Sequence, residues 1–242
     1  MFRVRGLRRK KGERLVGTAI YDMYFGEGFC GALPGYESLY PDILAYAYKE
    51  LRDENGFGFA VCDDDEALIG TAEKAGFVKT EQSENILRMP LDHDYSSVLP
   101  EGYAFAELDP VKELYDFQWL LWQGFDHGDD RAEFERENDF PQIPYFRVHF
   151  NPFLSVAAVD RAGEKGSYCC LWYDEKTDYA YVEPVCAIPS ARGKGITRAV
   201  IYEALGRAKA LGAKNAFVIS DMDFYRRLGF EQYKHFSFYH KP

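Results

Sequence analysis

Along this chain, short runs in which apolar residues cluster or alternate are followed by stretches in which they return every three or four positions. The first pattern predicts strands and the second amphipathic helices. Residues 14–20 and about 27–32 read as two short strands. Residues 36–51 read as a helix with Ile43, Leu44, Ala47, Tyr48 and Leu51 on one face. A strand at 57–62 comes next, then a helix over 64–75 that stops at Gly76. Phe77-Val78 opens another strand, and residues 85–89 form the last one before Pro90. Residues 91–102 are polar and rich in turn formers, which marks a linker between a domain at 1–90 and one at 103–242.

The second stretch opens with a strand near 103–108. Asp109 is placed to cap a helix that starts at Pro110 and runs to about Gln123. Gly124-Phe-Asp-His-Gly128 breaks it, and a charged helix over 129–138 follows. Strands are expected at 153–159 and 168–173, with Gly163 in the hairpin between them, and at 179–187. Pro189 stops that strand. Ala199, Val200, Ile201, Ala204, Leu205 and Ala208 then recur at helical spacing, and residues 215–220 form one more strand.

The two stretches share an order: strand, turn, helix, strand, helix, Gly-Phe, strand. Ala32-Leu33-Pro34 aligns with Ala187-Ile188-Pro189, Val61 with Val218, and Gly76-Phe77 with Gly229-Phe230. An internal repeat is the simplest account. The expected fold class is α/β, a mixed, mostly antiparallel twisted sheet flanked by helices, present twice.

The copies differ at the turn after the Ala-x-Pro step. The second carries Arg192-Gly193-Lys194-Gly195-Ile196-Thr197 at the start of a helix. Two glycines allow the backbone to aim several N–H groups one way, and the helix adds its unpaired amides and positive dipole end. Such a turn suits a phosphate or pyrophosphate, although a Gly-Lys-Gly turn is often only a turn. It is neither the P-loop pattern nor the dinucleotide fingerprint, whose third glycine and ribose carboxylate are missing. In the first copy Glu37 stands in place of Arg192, Tyr40 in place of Gly195, and Ala72 in place of Tyr225. A polyphosphate there meets a carboxylate and side-chain bulk.

Arg-x-x-Gly-x-(Gly or Ala) after a strand with a nearby Pro resembles the acetyl-coenzyme A loop of the GNAT superfamily of N-acetyltransferases. Thr197 departs from the usual Gly or Ala at the last position. Asp223-Phe-Tyr225-Arg-Arg-Leu-Gly-Phe230 is similar to a helix of that family ending in Gly-Phe, with a Tyr four residues before the Gly. The resemblance covers about residues 103–242. With a shortened, degenerate copy in front, it points to the tandem-GNAT type. It implies that the backbone of Val185, Cys186 and Ala187 and the amides of Arg192, Gly193, Lys194, Gly195, Ile196 and Thr197 hold acetyl-coenzyme A. Ser220, Phe224 and Tyr225 join the same wall. Tyr225 is then the general acid and Glu183 the general base, with Asp126 and His127 as weaker alternatives for the base. Trp119, Trp122, Phe125, Asp126 and His127 would line the acceptor groove. The implied reaction moves an acetyl group directly to a primary amine of a small molecule or peptide. A silent protein that binds coenzyme A or a small ligand as a sensor or scaffold is the alternative. Cys186 lacks a histidine near it in sequence, which disfavours an acyl-enzyme.

Composition changes the picture little. A net charge of −10 over 242 residues argues against nucleic acid and is compatible with a cationic substrate. The basic run at 2–11 reads as a solvated end or a strand edge, without the apolar stretch of a signal peptide. No apolar run approaches a membrane span. Cysteines at 30, 62, 169, 170 and 186 form neither a disulfide framework nor a metal-binding spacing. The expectation is a cytoplasmic protein with no metal and no membrane or nucleic-acid partner. A homodimer stays open.

Overall fold

The computed structural model describes residues 6–12, 14–21, 24–137 and 150–242. Residues 2–5 of the basic run and Asn138, the end of the expected charged helix, lie outside the described residues. The chain forms two α/β lobes, as the repeat predicts. One compact unit comprises Met1–Ile86, Ile219–Asp221 and Gln232–Pro242; the other comprises Leu87–Val218 and Met222–Glu231.

The first unit holds β1 (Gly6–Lys11), β2 (Arg14–Tyr21), β3 (Glu27–Ala32), β4 (Phe57–Cys62) and most of β5 (Val78–Pro90). Its last strand is β11 (Glu231–Lys241), from the far end of the chain, in the order β1-β2-β3-β4-β11-β5. β11 runs antiparallel to β4, from Phe236 opposite Cys62 to Lys241 opposite Phe57. The basic run is therefore ordered in part as a strand paired with β2. α1 (Tyr40–Glu50) and α2 (Glu66–Lys74) bury Ile43, Leu44, Ala47, Leu68 and Ala72 against Phe57, Phe59 and Val61 of β4. That apolar face, more than helix propensity, holds such short helices.

The second unit orders its strands as β10 (Asn215–Ile219), β9 (Tyr179–Ala187), β8 (Lys165–Tyr173), β7 (Ser155–Asp160) and β6 (Tyr103–Glu107), with the end of β5 beside β10. Its helices are α3 (Leu114–Gly124), α4 (Arg131–Glu137), α5 (Ile196–Ala210) and α6 (Asp223–Arg227). α5 supplies Ile196, Val200, Ile201, Ala204 and Leu205 to a core that also takes Val156, Tyr168, Leu171 and Val182. The linker residues pack onto α5: Ser97 donates to the Ala199 carbonyl at 2.9 Å, and Tyr95 meets Tyr202 ring to ring at 5.8 Å. No described helix is long and apolar enough to cross a membrane.

Several expected elements differ. The helix expected from residue 36 begins as a 3-10 turn, Glu37–Leu39, and becomes α-helical at Tyr40. The helix expected from Pro110 begins at Leu114, because Asp109 Oδ1 accepts the amides of Val111 and Lys112 and closes a turn there instead. The strand expected to open at Phe77-Val78 and the one expected at 85–89 are a single strand, β5, which starts at Val78. Residues 78–83 are exposed at successive positions, so side chains on both faces of the strand meet solvent there and polarity costs little.

Candidate functional site

The site is built where β9 hands over to α5. β9 pairs with the parallel strand β10 only from Tyr179 opposite Asn215 to Tyr181 opposite Phe217. From Val182 onward its ladder is with β8 alone, with an irregularity where β8 residues Cys169 to Leu171 face Val185 to Val182. Such a bulge tolerates Pro184, which has no amide to donate. Ser167 Oγ donates to the Cys186 carbonyl at 2.9 Å, and the Ile188 amide donates to the Gly166 carbonyl at 3.0 Å. Because successive residues of a strand alternate, the backbone groups of Val185 and Ala187 face the opposite edge, where β10 has parted.

Beyond β9, Pro189–Ala191 form a 3-10 turn and the chain reaches Gly193 and Gly195. Both are in the left-handed region, at φ 72° and 78°, which an L side chain adopts only at a cost. A Cβ at either glycine would meet no heavy atom within 4 Å. Crowding therefore does not require glycine here; backbone conformation does, and the space over the turn is open. The amides of Gly193, Lys194 and Gly195 make no hydrogen bond to a described residue. Gly195 caps α5 without a side-chain acceptor, and the first turn holds no acidic residue. The result is a set of bare donors at a positive dipole end, which suits an anion.

Thr197 does not crowd this space with its hydroxyl. Its Oγ1 lies 3.2 Å from Ser167 Oγ, beneath the turn. Ser167 is fully buried and ties the end of β9 to the start of α5. Sequence reasoning passed over it, and its only signal was a hydroxyl in a run otherwise patterned as core.

The Arg192 side chain folds back from the turn. Nε donates to the Ala187 carbonyl at 3.0 Å, Nη2 to the Gly124 carbonyl at 3.0 Å, and Nη1 lies 2.8 Å from Asp126 Oδ1. Asp126 is the one described non-glycine residue with positive φ, at 63°. Gly124 presses on β9 so closely that a Cβ there would fall 2.6 Å from Cys186 Cβ.

Tyr225 is buried, and its hydroxyl has no hydrogen-bond partner among the described residues. Burial pushes its pKa well above the ordinary tyrosine value, with negative charge at Cys169 and Glu183 adding to the effect. The Cys169 thiol is itself pushed far up by burial, so it carries no charge at neutral pH, and Glu183 is the effective neighbour. Glu183 is exposed. Phe224 lies 5.3 Å from Tyr225 between ring centroids. Cys186 is buried and its thiol is pushed up to about 12, which makes it inert as a nucleophile. The Ser220 amide donates to the Asn85 carbonyl, and both residues fall in the first unit.

The aromatic candidates separate. Trp119 and Trp122 pack on Phe134 of α4 at 5.1 and 5.6 Å, and Arg131 stacks over Trp119 at 4.7 Å. His127 stacks on Trp122 at 4.9 Å, while Phe125 is half exposed beside Asp126. Two concavities of about 360 and 720 Å³ also lie in this unit, one beside Asp116, Trp119 and Lys165, the other beside Tyr95 and Arg207. Neither is lined by the turn, whose amides face open space rather than an enclosed cavity. Among the described residues no three His, Cys, Asp or Glu side chains gather to hold a metal ion.

The corresponding turn of the first unit is closed by its own side chain. Gly35 is also left-handed, at φ 85°, but its amide donates to Glu37 Oε1 at 2.8 Å. That bond, with one from its own amide, holds the Glu37 carboxyl below its ordinary range.

The acetyltransferase (GNAT) family model matches residues 111–230. This segment, just under half of the chain, is similar to GNAT-family domains. Solved structures extend the likeness in fold to nearly the whole chain. A GCN5-related N-acetyltransferase from Sphaerobacter thermophilus superposes with a TM-score of 0.69 at 13% identity, over 95% of this chain and 78% of that one. A tandem GNAT protein from the clavulanic acid biosynthesis pathway gives 0.67 at 17% identity, over 96% and 80%. A GCN5-related N-acetyltransferase from Kribbella flavida gives 0.62 at 16% identity, over 97% and 90%. Among curated proteins nothing matches. Both lobes are thus GNAT-like in fold, and the turn at 192–197 lies inside the matched GNAT segment.

Proposed function

We propose that the second unit transfers an acetyl group from acetyl-coenzyme A directly to a primary amine of a small molecule or peptide. The observation that carries this reading is the open, acceptor-free turn Gly193–Lys194–Gly195 at the point where β9 leaves β10. The amides of residues 193–197 would hold the diphosphate, and the Val185 backbone with the Ala187 amide, on the edge that β10 has left, the pantetheine arm; the Ala187 carbonyl is taken by Arg192 Nε. When bound, acetyl-coenzyme A supplies an activated thioester. Removing a proton from a lysine-like amine at neutral pH costs about 4–5 kcal/mol, at ~1.36 kcal/mol per pKa unit. Glu183, exposed and close enough to influence Tyr225, is the base, acting directly or through water. Tyr225 keeps its Oη proton throughout the neutral range and can act as the acid. The inert Cys186 thiol supports transfer without an acyl-enzyme. The first unit, with Glu37 in its turn and Ala72 in place of a tyrosine, is a shortened copy that holds no cofactor.

Calorimetric titration with acetyl-coenzyme A, followed by thiol release across a panel of amines, tests the reading. Binding with a stoichiometry of one and release with at least one amine are expected. No binding at millimolar cofactor would overturn it, and binding without release would favour the silent sensor.

A further inference from the structure

The reading above gives Arg192 no role, yet its side chain makes three polar contacts at the site. It touches three separate pieces of the second unit: the last residue of β9 through Ala187, the end of α3 through Gly124, and the following loop through Asp126. We infer that the Arg192–Asp126 pair is a positioning tie that couples the cofactor turn to the loop at 124–128, on the acceptor side. The inference rests on the proposed binding of coenzyme A at residues 193–197.

The tie starts one residue before Gly193. An anion held by the bare amides fixes that turn, and with it the backbone from which the guanidinium reaches out. The guanidinium is planar and uses its fork on two carbonyls and a carboxylate, so it transmits orientation as well as charge. At the far end, Asp126 lies in the left-handed region, which aspartate and asparagine adopt more readily than other side-chain-bearing residues. The amides of Phe125, Asp126 and His127 already turn back onto Leu121, Gln123 and Trp122. Their positions then follow the carboxylate. The pair is partly exposed, 42% for Arg192 and 65% for Asp126, so its intrinsic strength is modest. Its effect is on coupling: ordering one end lowers the cost of ordering the other, and the relation is reciprocal.

Asp126→Asn tests this, because asparagine keeps the left-handed backbone and removes the charge. Hydrogen exchange is followed at residues 193–197 and 124–128, with and without coenzyme A, alongside its Kd. In the wild type, coenzyme A should slow exchange in both segments. In Asp126→Asn it should still protect 193–197, with Kd raised about threefold, while the ligand-dependent protection of 124–128 disappears. A merely stiffening carboxylate would alter exchange at 124–128 equally in free and bound protein. Protection of 124–128 that survives in Asp126→Asn overturns the inference. So does a wild type protected at 193–197 but not at 124–128, and the cofactor reading then stands. Loss of protection at both segments with no measurable Kd ends both.

Discussion

Burial sets the protonation state of Tyr225, the acid of the reaction proposed above. Its pKa is raised by desolvation first and by neighbouring negative charge second, so the phenol stays intact through neutral and mildly alkaline pH. Tyr225→Phe should therefore lower kcat by roughly 100-fold while leaving the acetyl-coenzyme A Kd within about twofold, as steady-state kinetics and calorimetry would show. The same burial sets a sign for stability. The unfolded phenol ionises near ~10, below the folded one, so the residue weakens the fold only as pH climbs past that value. A melting series should show no tyrosine-linked loss between pH 7 and about 9. Tyr225 was legible in the sequence because its distance from Gly229 is short and fixed by one helix. Ser167 was not, because its partner Thr197 is thirty residues away and only the folded sheet brings the two together.

At the scale of the element, two turns that each carry a left-handed glycine behave differently. Gly35 and Gly195 are both left-handed with open space around the missing Cβ. Replacing either with Ala should cost about 1–2 kcal/mol in stability, since the penalty comes from the backbone alone. Only Gly195→Ala should also weaken coenzyme A binding, by about tenfold or more, because its methyl would intrude on the diphosphate. Equal affinities for the two variants would remove the turn at 192–197 from the site. The glycine pair and the Glu37 replacement were readable residue by residue, since both lie within a few positions of their effect. The direction of the Arg192 side chain was not. Its partners, Gly124 and Asp126, are 66–68 positions away along the chain.

For the whole molecule, the exchange of strands between the halves of the sequence matters most. Residues 232–242 cluster with the first unit, and β11 places Ser237 and Tyr239 in buried positions beside β4. A chain ending at residue 231 should leave the first unit without a central strand and unfold it, since domain stabilities are only about 5–15 kcal/mol. Hydrogen exchange would show this as fast exchange across Phe57–Cys62, which the full chain should protect. Native-like protection in the truncated chain would refute it. The repeat itself was legible, because each copy carries the same local pattern. Which unit its last strand joins was not, because strand pairing is settled by long-range contacts that periodicity does not encode.

The self-closed turn at Gly35 and the bare one at Gly193–Gly195 have an experimental consequence. Inorganic phosphate or sulfate in a buffer would find a seat at the second turn and a resident carboxylate at the first. The melting temperature of the second unit should then rise with sulfate concentration, while that of the first should not respond. Cofactor affinities measured in phosphate buffer should accordingly be weaker than those measured in a zwitterionic buffer at the same ionic strength.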